Sequence, residues 1–182
     1  VVYFNSRDIA AISMGAALWG ALNVTVSPVF WAITNLPFCC DLIGFTCLIL
    51  AVWWSRKFGT ATAVGLIATV INFILRPAAM HFLGFTAASA LFDITTRIVG
   101  YKTCFGNPKS SGVRLVALSI ISGALAGSII GNFFMAPGII TKVYGTVFVF
   151  TGLHAVGGLI GGVMGFILVK ALELRGISVA QT

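Results

Sequence analysis

Charge is what this sequence has least of. Only four of its 182 residues are Asp or Glu and eleven are Lys or Arg, together 8%, while 59% are apolar. A soluble domain is roughly one-quarter charged, so a chain this poor in charge has too little polar surface to face water on every side. It reads as an integral membrane protein with the lipid bilayer as its first partner, folded as a single transmembrane domain over residues 1–182 that leaves no room for a soluble enzyme domain. The catalytic signatures are missing too: there is no HExxH, no serine-nucleophile elbow, no Walker loop and no CxxCH, and nothing calls for a cofactor or an intrinsic enzyme activity. Four cysteines, Cys39, Cys40, Cys47 and Cys104, lack any CxxC spacing; they suit small buried positions better than a tetrahedral metal clip. The cations stand singly at the ends of apolar stretches and form no stripe, which excludes a nucleic-acid surface despite a net charge of +7. The N-terminus has no signal-plus-cleavage pattern.

Six apolar segments are present, near residues 9–27, Phe38–Trp54, Thr60–Leu75, Gly84–Val99, Val113–Phe134 and Val147–Leu172, each close to the roughly 20 residues that cross a bilayer. The expected fold class is an all-α polytopic membrane protein of six transmembrane helices with both termini cytoplasmic. The uncharged stretch SPVFWAITNLP, with its two prolines and Trp31, reads as an interfacial loop after segment one, and Gly100 to Gly112 as a solvated loop. Charge supports the count. With a cytoplasmic N-terminus, Arg7, Arg56, Lys57, Arg97, Lys102, Lys109, Arg114, Lys170 and Arg175 fall inside, and only Arg76 and Lys142 outside, a strong positive-inside bias that an error of one helix would destroy.

Small residues mark the packing faces. Ala17 and Ala21, like Ala16 and Gly20, stand four apart on segment one, a spacing that lets a second backbone approach closely, either within the chain or from a separate subunit. Gly123, Gly127 and Gly131 repeat the spacing on segment five, and Gly157, Gly161 and Gly165 on segment six beside a second line of Gly158 and Gly162. Close contact between segments five and six, at Gly127 and Gly161, is expected.

Polar residues within apolar segments are costly unless satisfied or solvated. Asn23, Asn35, Asp41, Asn72, Arg76, His81 and Asn132 all fall in the outer half under this topology, where an outward-opening pocket would collect them. Arg76 offers a planar fork to a carboxylate or phosphate, or snorkels to the interface. Asp41, in the first turn of segment two, suits local capping or contact with a ligand or cation. Asp93 and Arg97, one turn apart, are expected to pair. His154, deep in segment six, reads as a helix-contact histidine or as a ligand-binding one; with His81 and Asp41 or a cysteine it could hold a metal, although the spacing does not show that they converge.

The run FNSRDIAAISMGAALWGALN, the proline-bearing SPVFWAITNLP, the segment AVGLIATVINFIL and the later ASALFD together resemble the S component, the substrate-binding membrane subunit, of an energy-coupling factor transporter, from about Asn5 to Lys170. The resemblance implies a substrate-capture subunit for a vitamin-like nutrient in the cell membrane, working with a membrane coupling subunit and its ATPase subunits. It implies that Ala17 and Ala21 dock the coupling subunit, and that the first outer loop and the loop after helix three close the solute site, with Trp31, Asn35, Arg76 and His81 in position. Asn72 and His154 complete the candidate substrate-binding set. A non-catalytic structural subunit of a larger membrane enzyme complex is the competing reading.

Overall fold

The computed structural model describes residues 3–106 and 108–177, with the backbone alone at 108 and 109. Among these residues every regular element is helical: α1 (Ser6–Thr34), α2 (Cys39–Ser55), α3 (Thr60–Leu75), α4 (Phe82–Val99), α5 (Tyr101–Phe105), α6 (Pro108–Ile129), α7 (Pro137–Ile139) and α8 (Val147–Leu174). Single π-helical turns over Ile130–Phe134 and Ile140–Tyr144 continue α6 and α7. Four stretches, Ser6–Thr34, Phe82–Val99, Ser110–Phe134 and Val147–Leu174, are long and apolar enough to cross a membrane, and α2 and α3 are apolar but shorter. The chain is a helical membrane protein.

Two expected loops are corrected. The stretch SPVFWAITNLP is not an interfacial loop: α1 runs through Pro28 to Thr34 and ends where Asn35 takes a left-handed conformation, φ 55°, its N–H bonding back to Trp31 O at 2.7 Å. Proline removes one helical donor, which a membrane helix tolerates when its neighbours satisfy the freed carbonyl; Asn is among the few residues at ease in the left-handed region. The Gly100 to Gly112 stretch is not simply solvated either. It contains α5, whose Cys104 and Phe105 are buried, and the start of α6.

The long helices close a ring in which each packs on its neighbours in the order α1, α3, α4, α6, α8, α2, with α2 also touching α3. Every turn of α2 carries buried side chains, from Ile43 and Phe45 to Val52 and Trp53. Trp19 of α1 fills the space beside it because Gly44 has no side chain there, a Cβ at Gly44 falling 2.6 Å from the indole ring; Phe82 and Phe85 of α4 close over it at 5.5 and 6.1 Å. Gly20 likewise admits Ile71 of α3.

The glycine lines of α8 serve two neighbours. Gly158 and Gly162 lie against the backbone of Ser119 and Val116 on α6, whereas Gly157, Gly161 and Gly165 lie against Phe38 at the start of α2 and Asp41, Leu42 and Ile49 within it. Gly127 of α6 meets Thr151 and His154 of α8, as the spacing suggests. Gly161, expected in that same contact, faces α2 instead.

The expected Asp93–Arg97 pair is also corrected. Asp93 is fully buried and its Oδ2 accepts from the backbone N–H and hydroxyl of Thr62, at 3.0 and 2.8 Å, while Arg97 is exposed. Gly59, the N-cap of α3, has no side chain to cap it, so the carboxyl group of Asp93 from α4 serves its unsatisfied N-terminal donors.

At one end of the ring Asn5 and Asp8 form a reciprocal capping box, and Lys57 reaches Asp8 at 2.7 Å. Trp53 Nε1 donates to Glu173 at the same end. The opposite end gathers the close of α1, the α3–α4 turn and the segment around α7, and it is there that the chain is hollow.

Candidate functional site

The hollow is a cavity of about 280 Å³, near the lower bound of the roughly 300–1,000 Å³ usual for small-molecule sites. One wall is a stripe on α1, Asn23, Ser27 and Trp31, at successive four-residue steps. Leu36, Pro37 and Cys40 lead into α2, Arg76 and His81 bracket the α3–α4 turn, and Phe85 lies one turn into α4. Phe150 and His154 come from α8, and Ile130, Met135 and Ile139 from the turns around α7.

Four of the six residues expected to bind a solute, Trp31, Arg76, His81 and His154, line this one space. Asn72 does not line it; it is fully buried just behind Asn23, whose Nδ2 donates to Asn72 Oδ1 at 2.9 Å. Asn35 also falls outside the wall, and its carbonyl accepts from the Tyr144 hydroxyl at 2.9 Å. Sequence reasoning collected Asn23 with the outer polar residues without naming it as a binding residue, and it missed Ser27. Their signal was the i, i+4, i+8 register with Trp31, which becomes visible only when α1 is carried through Pro28.

At the cavity floor His154 backs onto a buried acid. His154 Nδ1 stands 2.6 Å from Asp41 Oδ2, with the two side chains 3% and 0% exposed. Asp41 thus faces the histidine across the α2–α8 contact. Removing one partner would leave the other's buried polar atom unpaired, at a cost of about 1–3 kcal/mol. Phe85 and Phe150 pack on the imidazole at 5.7 and 4.6 Å between centroids, fixing the ring. His154 Nε2 is buried without a hydrogen-bond partner, and so is Asn23 Oδ1. Ser27 has the weakly bonding thiols of Cys39 and Cys40 as neighbours.

Toward the mouth, Arg76 is exposed, and among the described residues its guanidinium has neither an ion pair nor a side-chain hydrogen bond. His81, half-buried in the α3–α4 turn, is pushed down to about 4, first by burial and then by the charges of Arg76 and His154; it is an uncharged imidazole at neutral pH. Trp31 Nε1 donates to the Tyr144 hydroxyl at 3.1 Å, and the Tyr144 ring rests edge-on against Phe150 at 4.9 Å. His81 and His154 share the cavity, but among the described residues no group of three or more His, Cys, Asp or Glu is placed to hold a metal.

Ala17 and Ala21 lie elsewhere, exposed on the outer face of α1, with Ala10, Ser13 and Thr25 exposed along the same side. Ala16 and Gly20 of the other small pair are buried within the chain. The two stripes on one helix therefore face in different directions. Comparison with known proteins finds no matching family model, no matching curated protein and no matching solved structure.

Proposed function

We propose that this chain is the substrate-capture subunit of a nutrient uptake transporter, the role that its resemblance to an energy-coupling factor S component implies. The supporting observation is the cavity itself. It joins one fixed cation, an apolar and aromatic wall and unpartnered polar atoms in a space of about 280 Å³, which is the make-up of a small-molecule site. A subunit that only packs beside others would close this end with fitted side chains. In this reading six helices cross the cell membrane with both termini cytoplasmic, the cavity opens outward, and the cation-rich end faces the cytoplasm.

The exposed Ala17–Ala21 stripe supports a separate coupling subunit. Small residues are of use at a surface only where another backbone approaches, and in this chain the stripe has no internal occupant. That partner and its ATPase subunits would supply the energy; this chain has no enzymatic role. The test is native purification followed by mass spectrometry of retained small molecules, with thermal stability measured as candidate solutes are added, because a solute selective for the folded state raises the midpoint. A chain that retains nothing, gains no stability from any vitamin-sized solute and is recovered only with subunits of a membrane enzyme would overturn the proposal in favour of a structural role.

A further inference from the structure

Resting on that solute-binding role, the geometry points to a narrower ligand class: a small monoanion with an apolar, planar body and an N–H or O–H donor, that donor being read by Asn23.

The anion follows from the lining. Arg76 alone among the described residues around the cavity carries a permanent charge, no carboxylate lines the wall, and the guanidinium is without a partner. An Asp or Glu side chain is the usual companion of a guanidinium; here the place beside it is left to whatever enters. The body follows from Trp31, Phe85 and Phe150, whose faces and edges suit a flat apolar group.

The donor follows from a chain of amides whose direction is fixed at its buried end. The carbonyl of Ala68 can only accept, so Asn72 must turn Nδ2 toward it, at 2.8 Å. Asn72 Oδ1 then points at Asn23 and can only accept, so Asn23 must present Nδ2, at 2.9 Å. The remaining Asn23 atom is therefore Oδ1, an acceptor, buried and without a partner on a residue that lines the cavity and is 5% exposed. Reversing either amide would set donor against donor or acceptor against acceptor. A solute with a donor there satisfies the atom, and one without a donor leaves it buried and unpaired, a penalty that sites built around a hydrogen bond use for discrimination.

The test uses the purified full chain in detergent and two matched sets of probes: indole-3-acetate, 1-methylindole-3-acetate, indole-3-acetamide and tryptamine; and 4-hydroxyphenylacetate, 4-methoxyphenylacetate, 4-hydroxyphenylacetamide and tyramine. Affinities come from calorimetry. In at least one set the acid bearing the donor should bind about tenfold or more tighter than its amide and its amine, and about tenfold tighter than its methylated partner. Arg76→Gln should abolish the preference for acid over amide while the midpoint of the free protein stays in place. The methylation comparison in the unmodified chain needs no variant, so a poorly folded Asn23→Ala would not obscure it. An amide or amine that binds as well as the acid overturns the anion assignment and leaves the solute-binding role standing; indifference to methylation overturns the role of Asn23. Silence from all eight probes overturns the inference, and if the natively purified chain also retains no small molecule, the solute-binding role falls with it.

Discussion

Replacing Gly161 by alanine is the sharpest test of the packing. The added Cβ would lie 2.9 Å from the carbonyl oxygens of both Asp41 and Leu42 and 3.0 Å from Leu42 Cα, all backbone atoms of α2, where ordinary contact begins at 3.4 Å. Helical backbone cannot swing aside as a side-chain tip can, so α2 and α8 must part by about half an ångström, and overpacking of this kind costs about 1–3 kcal/mol. Alanine returns up to about 1 kcal/mol through its better helix propensity. Parting the helices also stretches the 2.6 Å contact between Asp41 and His154, a second loss. Gly152, on the same helix, is the internal control, because a Cβ there meets nothing within 4 Å and Gly152→Ala keeps the propensity gain alone. The same chemical change at the two positions should therefore differ by about 2 kcal/mol or more. Denaturation of the purified protein in a rising fraction of sodium dodecyl sulfate, followed by tryptophan fluorescence, reads the difference. Equal midpoints for Gly161→Ala and Gly152→Ala would refute the close approach of α2 to α8.

Three further outcomes are expected. His81 is held near 4, below its ordinary 6.5, so between those values the unfolded chain takes up a proton that the folded chain refuses. Stability should fall as pH drops from 6.5 to about 4, by at most about 3 kcal/mol, and His81→Gln should flatten that part of a thermal-stability profile; an unchanged profile would count against the burial of this imidazole. In an otherwise cysteine-free background, cysteines at Lys102 and Lys142 should label from opposite sides of the membrane, and labelling from one side would defeat the six-crossing topology. Ala17→Leu adds bulk to an exposed position, so the midpoint should persist while recovery of the proposed coupling subunit in a pull-down is lost; undiminished recovery would place that interface elsewhere.

Helical class and segment positions were legible because lipid imposes a simple rule, a run of about 20 apolar residues bounded by polar ones. Arg56–Lys57 and Arg76–Pro77 mark ends that the structure keeps to within a residue. Pro28 was misleading for a physical reason: its effect depends on whether neighbours satisfy the carbonyl it frees, and no local pattern reports that. The error propagated, since ending α1 early hid the register that puts Asn23 and Ser27 on the face of Trp31. Asp93 misled in the same way. Arg97 lies one turn away in sequence, but the first turn of α3, 31 residues back, offers donors already fixed in place. Pairing across helices is decided by the tertiary fold, whereas i, i+4 reasoning sees only one helix. Arg76, His81 and His154 were identifiable because each is an expensive residue in an apolar setting, and that cost is visible in sequence alone. That they converge with Trp31 was not.

Tyr144 has a kinetic consequence. Among the described residues, the side-chain hydrogen bonds between the 137–144 segment and the rest of the molecule run through one hydroxyl, which receives the Trp31 indole N–H and donates to the Asn35 carbonyl. Two ordinary hydrogen bonds contribute about 2 kcal/mol net, roughly a thirtyfold bias toward the closed arrangement. The segment also carries Ile139 of the cavity wall. In the proposed role, movement there would exchange the contents of the cavity without disturbing the glycine contacts that hold α8 to α2 and α6. The hydroxyl would then set the dwell time of a solute more than its affinity: a phenylalanine in its place would speed entry and exit together, and the ratio of the two would hardly move.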